Sequence, residues 1–315
     1  MVYIDPELDP ALRALPPLVL DATTLHEVRV ARTAMYAQAP APVSKAVVET
    51  FVVPSVDDAP PVRVVSYRPA QTDGPLAALL HIHGGGYILG SPSMMDAANH
   101  GLAMALGCRV LSVDYRLAPE TPFPGALEDC FSVLNWICRE ADALKVDASR
   151  IGVKGESAGG GLAAALALLA RDRGGPRLAF QHLIYPMLDD RTGSEADPHP
   201  FTGQYAWTPE NNRFGWGSYL GRPPGEADGS AYAAPARAAD LTNLPPTFIA
   251  VGGLDLFLDE NIHYAHRLSR AGVSVELHIY PGAFHGFQRV REAAVAQAAN
   301  RDSLDALRRS FKGSA

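Results

Sequence analysis

The stretch GVKGESAGGG, Gly152 to Gly161, holds a serine between two glycines in the spacing G-x-S-x-G. A serine held on a sharp turn between a strand and a helix can act as a nucleophile, although the pentapeptide alone is a weak signal. Here the apolar strand pattern RIGV precedes Ser157, and a long Ala/Leu helix pattern follows it. This context favours a nucleophilic Ser157 over a serine that is only a small residue in a glycine-rich turn.

A second glycine-rich segment, HIHGGGY at residues 81–87, can supply the hydrogen-bond donors that a serine nucleophile needs. Its three glycines follow a predicted strand, and their unhindered N–H groups can point at one developing oxyanion. The first turn of a helix leaves its N–H groups free, so Ala158 adds a further donor. By itself this segment also fits a flexible turn, but that interpretation is poor once Ser157 is included. We expect His81 and His83 to brace the loop.

A base must take the serine proton, and one of the ten histidines stands apart. His285, in YPGAFHGF, lies just past the last predicted strand, at the sheet edge where ligand sites of open α/β sheets form. The base needs a carboxylate that fixes its tautomer, in the chain order serine, acid, histidine. Asp255 and Asp259 both follow the predicted strand TFIAVGG. We favour Asp255, because Asp259 is expected to begin the next helix.

These residues require a sheet whose strands end at a common edge, and the chain carries the pattern of such a sheet. From the third β-rich run onward, strands alternate with amphipathic stretches at 93–107, 124–144, 157–173 and 257–271, as in βαβ crossovers. The sequence therefore predicts an α/β fold with a mainly parallel, eight-stranded sheet flanked by helices. The predicted strands are VVETFVV, VRVVSY, LAALLHI, CRVLSVDY, RIGVKG, FQHLIY, TFIAVGG and VELHIY.

Two segments do not fit this alternation and look like additions to the sheet, residues 1–45 and about 186–222. In the second segment a helix is predicted in which Thr208 is the N-cap, Pro209 the first residue and Gly221 the end. This helix carries more aromatic side chains than a plain surface helix, which indicates that some of them line something apolar. The aromatic residues are Phe214, Trp216 and Tyr219.

The composition is that of an ordinary globular protein of 315 residues, with 47% apolar and 19% charged residues. The net charge of −7 provides no basic stripe, so we expect no nucleic acid as partner. No basic segment precedes an apolar run at the start, and no run of about eighteen apolar residues occurs, so neither secretion nor membrane insertion is signalled. Three cysteines without C-x-x-C spacing, Cys108, Cys130 and Cys138, are interpreted as small hydrophobes in a reducing cytoplasm.

Taken together, the motifs resemble those of the hormone-sensitive-lipase-like family of α/β-hydrolases, bacterial esterases marked by an H-G-G-G loop. The similarity runs over nearly the whole chain from about residue 40. Beside HGGGY and GESAGG, the sequence carries DYRLAPE at 114–120, DASRI at 147–151, DLFLDE at 255–260 and HGF at 285–287. Ordered matches of this number are not chance.

The resemblance implies an α/β-hydrolase fold and a role for each site residue. The implied triad consists of Ser157 as nucleophile, His285 as general base and acid, and Asp255 as the carboxylate that orients it. The implied oxyanion hole consists of the N–H groups of Gly85, Gly86 and Ala158. One departure is Glu156, which stands where many relatives carry aspartate, and the resemblance assigns it no role.

A cap is also implied, formed by residues 1–45 and an insertion at about 186–222 over a catalytic domain that spans 46–315. Aromatic side chains are then expected near the substrate. The candidates are Tyr87, Trp207, Phe214 and Trp216. Within DYRLAPE, Arg116 and Glu120 are interpreted as a structural, buried pair.

The sequence thus predicts a cytoplasmic serine carboxylesterase that hydrolyses short to medium acyl esters through an acyl-enzyme. No Cys/His cluster has ligand spacing, so we expect neither a metal nor another cofactor. Two alternatives stay open: an amidase or lactonase that uses the same triad, and a ligand-binding protein on the same fold. A homodimer through the last strand is plausible because relatives often pair there.

Overall fold

The computed structural model describes residues 3–38, 45–55, 59–194, 198–226 and 229–312. Parts of the two predicted cap segments, residues 1–2, 39–44 and 195–197, lie outside these ranges. Across the described residues the chain forms one sheet of eight strands with helices on both faces. The predicted α/β architecture is therefore confirmed.

The strand order across the sheet is β1-β2-β4-β3-β5-β6-β7-β8. β2 pairs antiparallel with both β1 and β4, whereas the pairs from β4 through β3 to β8 are all parallel. The carboxyl ends of the parallel strands therefore meet at one edge. The strands are β1 (Val47–Val53), β2 (Val62–Arg68), β3 (Leu76–Ile82), β4 (Arg109–Asp114), β5 (Val146–Glu156), β6 (Gln181–Ile184), β7 (Thr247–Gly252) and β8 (Val275–Tyr280).

The helices agree with the predicted stretches except at two places. The stretch 124–144 is two helices, because Glu140 has φ −96° and ψ 17°, outside helical values. The long C-terminal helix was not predicted. The helices are α1 (Asp9–Ala14), α2 (Leu25–Ala37), α3 (Asp96–Leu106), α4 (Gly125–Arg139), α5 (Ala141–Leu144), α6 (Ala158–Asp172), α7 (Pro209–Leu220), α8 (Leu258–Arg270) and α9 (Ala294–Lys312).

The core lies on both faces of the sheet, with α4, α6 and α8 on one face and α3 and α9 on the other. All residues of α6 from Ala158 to Ala170 are buried, because this helix is covered by α4 and by the sheet. Its small side chains allow the helix to pack close to the strands. Among the helices that the structure describes, none has both the length and the apolar character that a membrane span requires.

The insertion helix α7 has the predicted ends and contacts the N-terminal segment. The Thr208 hydroxyl accepts a hydrogen bond from the N–H of Asn211, and Gly221 ends the helix with φ 68°. The Asn211 side chain accepts from the N–H of Leu20 (3.0 Å) and donates to the carbonyl of Leu18 (2.9 Å). The two segments that do not belong to the sheet are therefore joined to each other.

The expected pair between Arg116 and Glu120 is wrong, because each residue has another partner. The Arg116 guanidinium donates to Asp129 at 2.7 and 3.0 Å, and its backbone N–H donates to the same carboxylate at 2.9 Å. The Asp129 side chain is 1% exposed, whereas that of Glu120 is 63% exposed and pairs with Arg29 on α2. Asp129 belongs to none of the motifs in the sequence. Its contact with Arg116 is apparent only in the folded chain, where α4 packs next to Arg116.

Asp129→Asn should lower the free energy of unfolding by about 2 kcal/mol, because it weakens three hydrogen bonds to a buried charged group. Glu120→Gln is the control and should change stability by about 0.5 kcal/mol or less, because exposed ion pairs contribute little. Urea unfolding with both variants measures the difference. Equal losses in the two variants would contradict this assignment.

Candidate active site

Ser157 lies between the end of β5 and the start of α6, in a backbone conformation that few non-glycine residues adopt. Its φ of 56° and ψ of −121° form the sharp strand-to-helix turn that the motif predicts. The Ser157 N–H donates to the carbonyl of Ile184 at 2.9 Å, and the Ser157 carbonyl accepts from the N–H groups of Gly161 and Met187 at 3.0 Å. These bonds hold the turn against the end of β6.

Glycines make this turn possible because backbone passes very close to them. A Cβ on Gly155 would lie 2.0 Å from the carbonyl oxygen of Gly159. A Cβ on Gly159 would lie 2.1 Å from the carbonyl oxygen of Ile82, at the end of β3. The start of α6 is therefore in direct contact with the strand that leads into the HGGG loop.

The structure brings the three predicted triad residues together in one line of hydrogen bonds. The His285 Nε2 lies 3.0 Å from the Ser157 Oγ, and its Nδ1 lies 2.8 Å from the Asp255 Oδ2. The other Asp255 oxygen accepts from the N–H of Phe257 at 3.0 Å. Since the carboxylate can only accept, Nδ1 carries the proton and Nε2 is free to accept from the serine hydroxyl.

The two candidate acids are separated by their places on the chain after β7. Asp255 is 1% exposed and faces His285. Asp259 lies in the first turn of α8 on an exposed face. The next residue, Glu260, is buried, which raises its pKa well above the usual value, and it accepts from the N–H of Leu188 and the hydroxyl of Thr192. Only Asp255 reaches the histidine.

The HGGG loop lies beside the nucleophile. A Cβ on Gly84 would lie 3.3 Å from the Ser157 Cβ, and Gly86 has φ 61°, which disfavours any other residue. Within the part of the chain that the structure describes, no hydrogen bond uses the predicted donors, the N–H groups of Gly85, Gly86 and Ala158. These three N–H groups therefore remain available to a ligand oxygen.

His83 stabilises the HGGG loop through contacts with Gly84 and Tyr115. Its Nδ1 contacts the carbonyl of Gly84 at 2.9 Å, and its ring stacks on Tyr115 at 4.2 Å. The Tyr115 hydroxyl donates to the His83 carbonyl at 2.9 Å. Burial lowers the pKa of His83 to about 3, so its ring is neutral and donates through Nδ1. A neutral ring here fixes the loop without adding charge.

Aromatic side chains surround His285, and two of them were not among the predicted residues. The centroid of the His285 ring lies 4.5 Å from that of Tyr185, 5.2 Å from Phe257 and 6.5 Å from the predicted Trp207. Tyr185 follows β6 directly, and Phe257 lies two residues after Asp255. Their positions at the carboxyl ends of strands were a signal that sequence reasoning could have used.

The other predicted aromatic residues hold α7 in place. The Tyr87 ring stacks on Tyr219 at 4.0 Å and contacts Trp216 at 5.0 Å, and its hydroxyl donates to the Met187 carbonyl at 3.1 Å. Tyr87 and Trp216 are at most 1% exposed, and Phe214 is partly buried against the same core. Trp207 is the one of the four that packs on Gly86 and near His285.

Comparison with known proteins accords with this geometry. The family model described as "alpha/beta hydrolase fold" matches residues 79–289, which include the HGGG loop and all three triad positions. The chain belongs to the α/β-hydrolase family. The resemblance to the hormone-sensitive-lipase-like bacterial esterases is thereby confirmed.

Several relatives cover most of the chain. Carboxylesterase NlhH from Mycobacterium tuberculosis is 38% identical over 259 residues, 80% of this chain and 78% of the relative. Ethyl acetate hydrolase from Pseudomonas putida is 35% identical over 235 residues, 73% of this chain and 72% of the relative. The structure titled Bacterial Heroin Esterase is 42% identical with a TM-score of 0.91, and the match covers 98% of each chain.

Gly159→Ala should lower stability by about 1–3 kcal/mol, because the new methyl group would collide with the backbone at Ile82 and force α6 away from β3. Gly101→Ala in α3 is the matched control. Gly101 is exposed and an added Cβ would meet nothing within 4 Å, so that change should stabilise the protein by about 0.5–1 kcal/mol. Urea unfolding distinguishes the two, and a stabilising Gly159→Ala would refute the close-contact argument.

Proposed function

We propose that this protein is a serine carboxylesterase that hydrolyses esters of short to medium-length acids through an acyl-enzyme on Ser157. The observation that carries the proposal is the line of hydrogen bonds from Asp255 through His285 to Ser157. Carboxylic ester hydrolysis is also the activity that the relatives' names state. No comparable observation supports an amidase or lactonase, or a ligand-binding protein.

In the first half of the reaction, the Ser157 Oγ attacks the ester carbonyl carbon while its proton moves to the His285 Nε2. The carbonyl oxygen becomes an oxyanion, which accepts from the N–H groups of Gly85, Gly86 and Ala158. The carbon–oxygen bond to the alcohol then breaks, and His285 gives its proton to the departing alkoxide. An acyl-enzyme remains on Ser157.

In the second half, water attacks the acyl carbon as His285 takes one of its protons. The tetrahedral intermediate collapses, the proton returns to Ser157, and the free acid leaves. Asp255 stabilises the imidazolium that forms in both halves, and its burial makes this interaction stronger than it would be in water. The chain's own residues suffice for every step.

The surroundings of the glycine loop support a short acyl group. Trp207 and α7 approach the loop closely: a Cβ on Gly86 would lie 2.4 Å from the Trp207 ring, and one on Gly215 would lie 2.8 Å from the Gly86 carbonyl oxygen. We infer that the N-terminal segment (1–45) and the insertion (186–222) form a cap over the catalytic domain (46–315). A pocket that is closed in this way accommodates few methylene groups.

Two further observations support a cellular location and an oligomeric state for the enzyme. Cys108 and Cys130 are buried free thiols and Cys138 is partly buried, which suits a reducing cytoplasm. β8 is the last strand of the sheet, and Ile279 on it is 45% exposed, which suits pairing with a second copy. We therefore include a cytoplasmic location and a homodimer in the proposal.

Asp255→Asn should lower kcat by about 10⁴-fold, because an amide stabilises neither the required tautomer nor the imidazolium. Asp259→Asn is the control, since Asp259 follows the same strand but is exposed. Initial rates on p-nitrophenyl butyrate compare the two. A larger loss in the Asp259 variant would move the catalytic carboxylate to that position.

Rates on p-nitrophenyl esters should rise over the first few acyl carbons and then fall, because each methylene that fits contributes about 0.8 kcal/mol until the pocket is full. Matched amides should react much more slowly, because an amine is a poorer leaving group. Ser157→Ala is the control and should abolish turnover. Rates that climb steadily to long chains, or amides that outrun esters, would contradict the proposed substrate class.

A further inference from the structure

Glu156, the residue before the nucleophile, is buried at 7% exposure and uses both of its carboxylate oxygens. Its Oε1 contacts the ammonium of Lys154, a residue that is 6% exposed, and its Oε2 lies 3.0 Å from the His81 Nε2. None of these groups belongs to the triad or the oxyanion hole. A buried charged pair is costly unless it is fully hydrogen-bonded, so the arrangement calls for an explanation.

The three residues lie on one face of the sheet at the ends of two neighbouring strands. His81 on β3 pairs in register with Lys154 on β5, and the pairing of these strands ends one step later at Ile82 and Gly155. Beyond that point β3 enters the HGGG loop and β5 reaches Ser157, without further backbone pairing between them. The Glu156–His81 contact is therefore a side-chain link between the two halves of the site.

His81 is fixed from the side opposite Glu156. Its Nδ1 lies 3.0 Å from the Ser112 Oγ and 3.3 Å from the Asn99 Nδ2. Burial, and secondarily the Lys154 charge, lower the pKa of His81 well below its usual value, so the ring is neutral. Since the carboxylate accepts, Nε2 carries the hydrogen, and Nδ1 accepts from the hydroxyl and the amide.

Lys154 supplies the charge that a buried carboxylate requires. Burial alone lowers the pKa of its ammonium to about 7, and direct contact with Glu156 favours the charged form. His182 on β6 faces Lys154 from the other side, and burial followed by the Lys154 charge keeps it neutral as well. The register neighbours of Lys154 on both sides, His81 on β3 and His182 on β6, are therefore neutral.

We propose that Glu156 is a positioning residue. Through His81 it holds the turn at Ser157 at a set distance from the HGGG loop, and Lys154 is its counter-charge. The inference rests on the proposed ester hydrolysis at Ser157. It assigns a role to a residue that belongs neither to the triad nor to the HGGG loop.

Two double variants test the link. Both lack the charged pair and keep side-chain volumes close to those of Lys154 and Glu156. Lys154→Met with Glu156→Gln keeps an amide oxygen that can accept from His81, whereas Lys154→Met with Glu156→Leu keeps none. On p-nitrophenyl butyrate the Gln variant should keep most of the wild-type kcat. The Leu variant should lose about 10- to 100-fold in kcat with KM unchanged, because a small displacement between nucleophile and oxyanion donors slows chemistry more than binding.

A second measurement separates this inference from the proposed function. The rate at which a fluorophosphonate labels Ser157 depends on the same alignment and does not require ester turnover, so it should fall in the Leu variant by a similar factor. A wild-type protein that is labelled but hydrolyses no ester would refute the proposed function while leaving this comparison valid. Equal kcat and equal labelling rates in the two double variants would overturn the positioning role.

Ser112→Ala provides the same test with a smaller change, should the Leu variant not fold by circular dichroism. It removes one hydrogen bond that orients His81 and leaves the charged pair intact. We expect a lower kcat, an unchanged KM and slower Ser157 labelling. Wild-type kcat and labelling in a folded Ser112→Ala protein would overturn the inference.

Discussion

The left-handed backbone at Ser157 is the constraint on which the rest of the site depends. A non-glycine residue at φ 56° and ψ −121° is unfavourable in isolation, and the structure compensates with hydrogen bonds on both sides of the residue. Close packing of Gly155 and Gly159 then leaves no space in which the turn could relax. The hydroxyl is thereby directed away from both the strand and the helix, toward His285.

The electrostatics around this turn are arranged to keep charge where the reaction uses it. His83 and His81 are neutral because they are buried, so the HGGG loop, which we propose binds the oxyanion, is held by uncharged groups. The Lys154–Glu156 pair is neutral as a unit and lies behind the turn. Asp255 is thus the charged group in direct contact with the histidine, and it favours the imidazolium of the transition state.

Local signals were sufficient to predict the strands, the serine turn and the histidine, because each depends on a few consecutive residues and their order along the chain. Helix α9 was missed because its first buried residues, Ala296 and Ala299, contrast little with their neighbours in hydrophobicity. The side-chain partner predicted for Arg116 was wrong for another reason. Arg116 could meet Asp129 only after α4 had packed, and the Glu156–His81 contact depends on which strands lie side by side. Register and strand order are properties of the whole sheet, which a single segment does not reveal.

The attachment of the N-terminal segment has a consequence for the order in which the protein forms. Leu20 binds Asn211, 191 residues later, and the carboxylate of Glu7 accepts from the N–H of Ala294, 287 residues later. This segment precedes both of its partners along the chain, so its contacts are complete only after residues up to Ala294 have been synthesised. The last strand, β8, ends at Tyr280, so all eight strands can pair before this segment has completed its contacts. A segment that precedes the sheet along the chain is thus secured only after the sheet has formed.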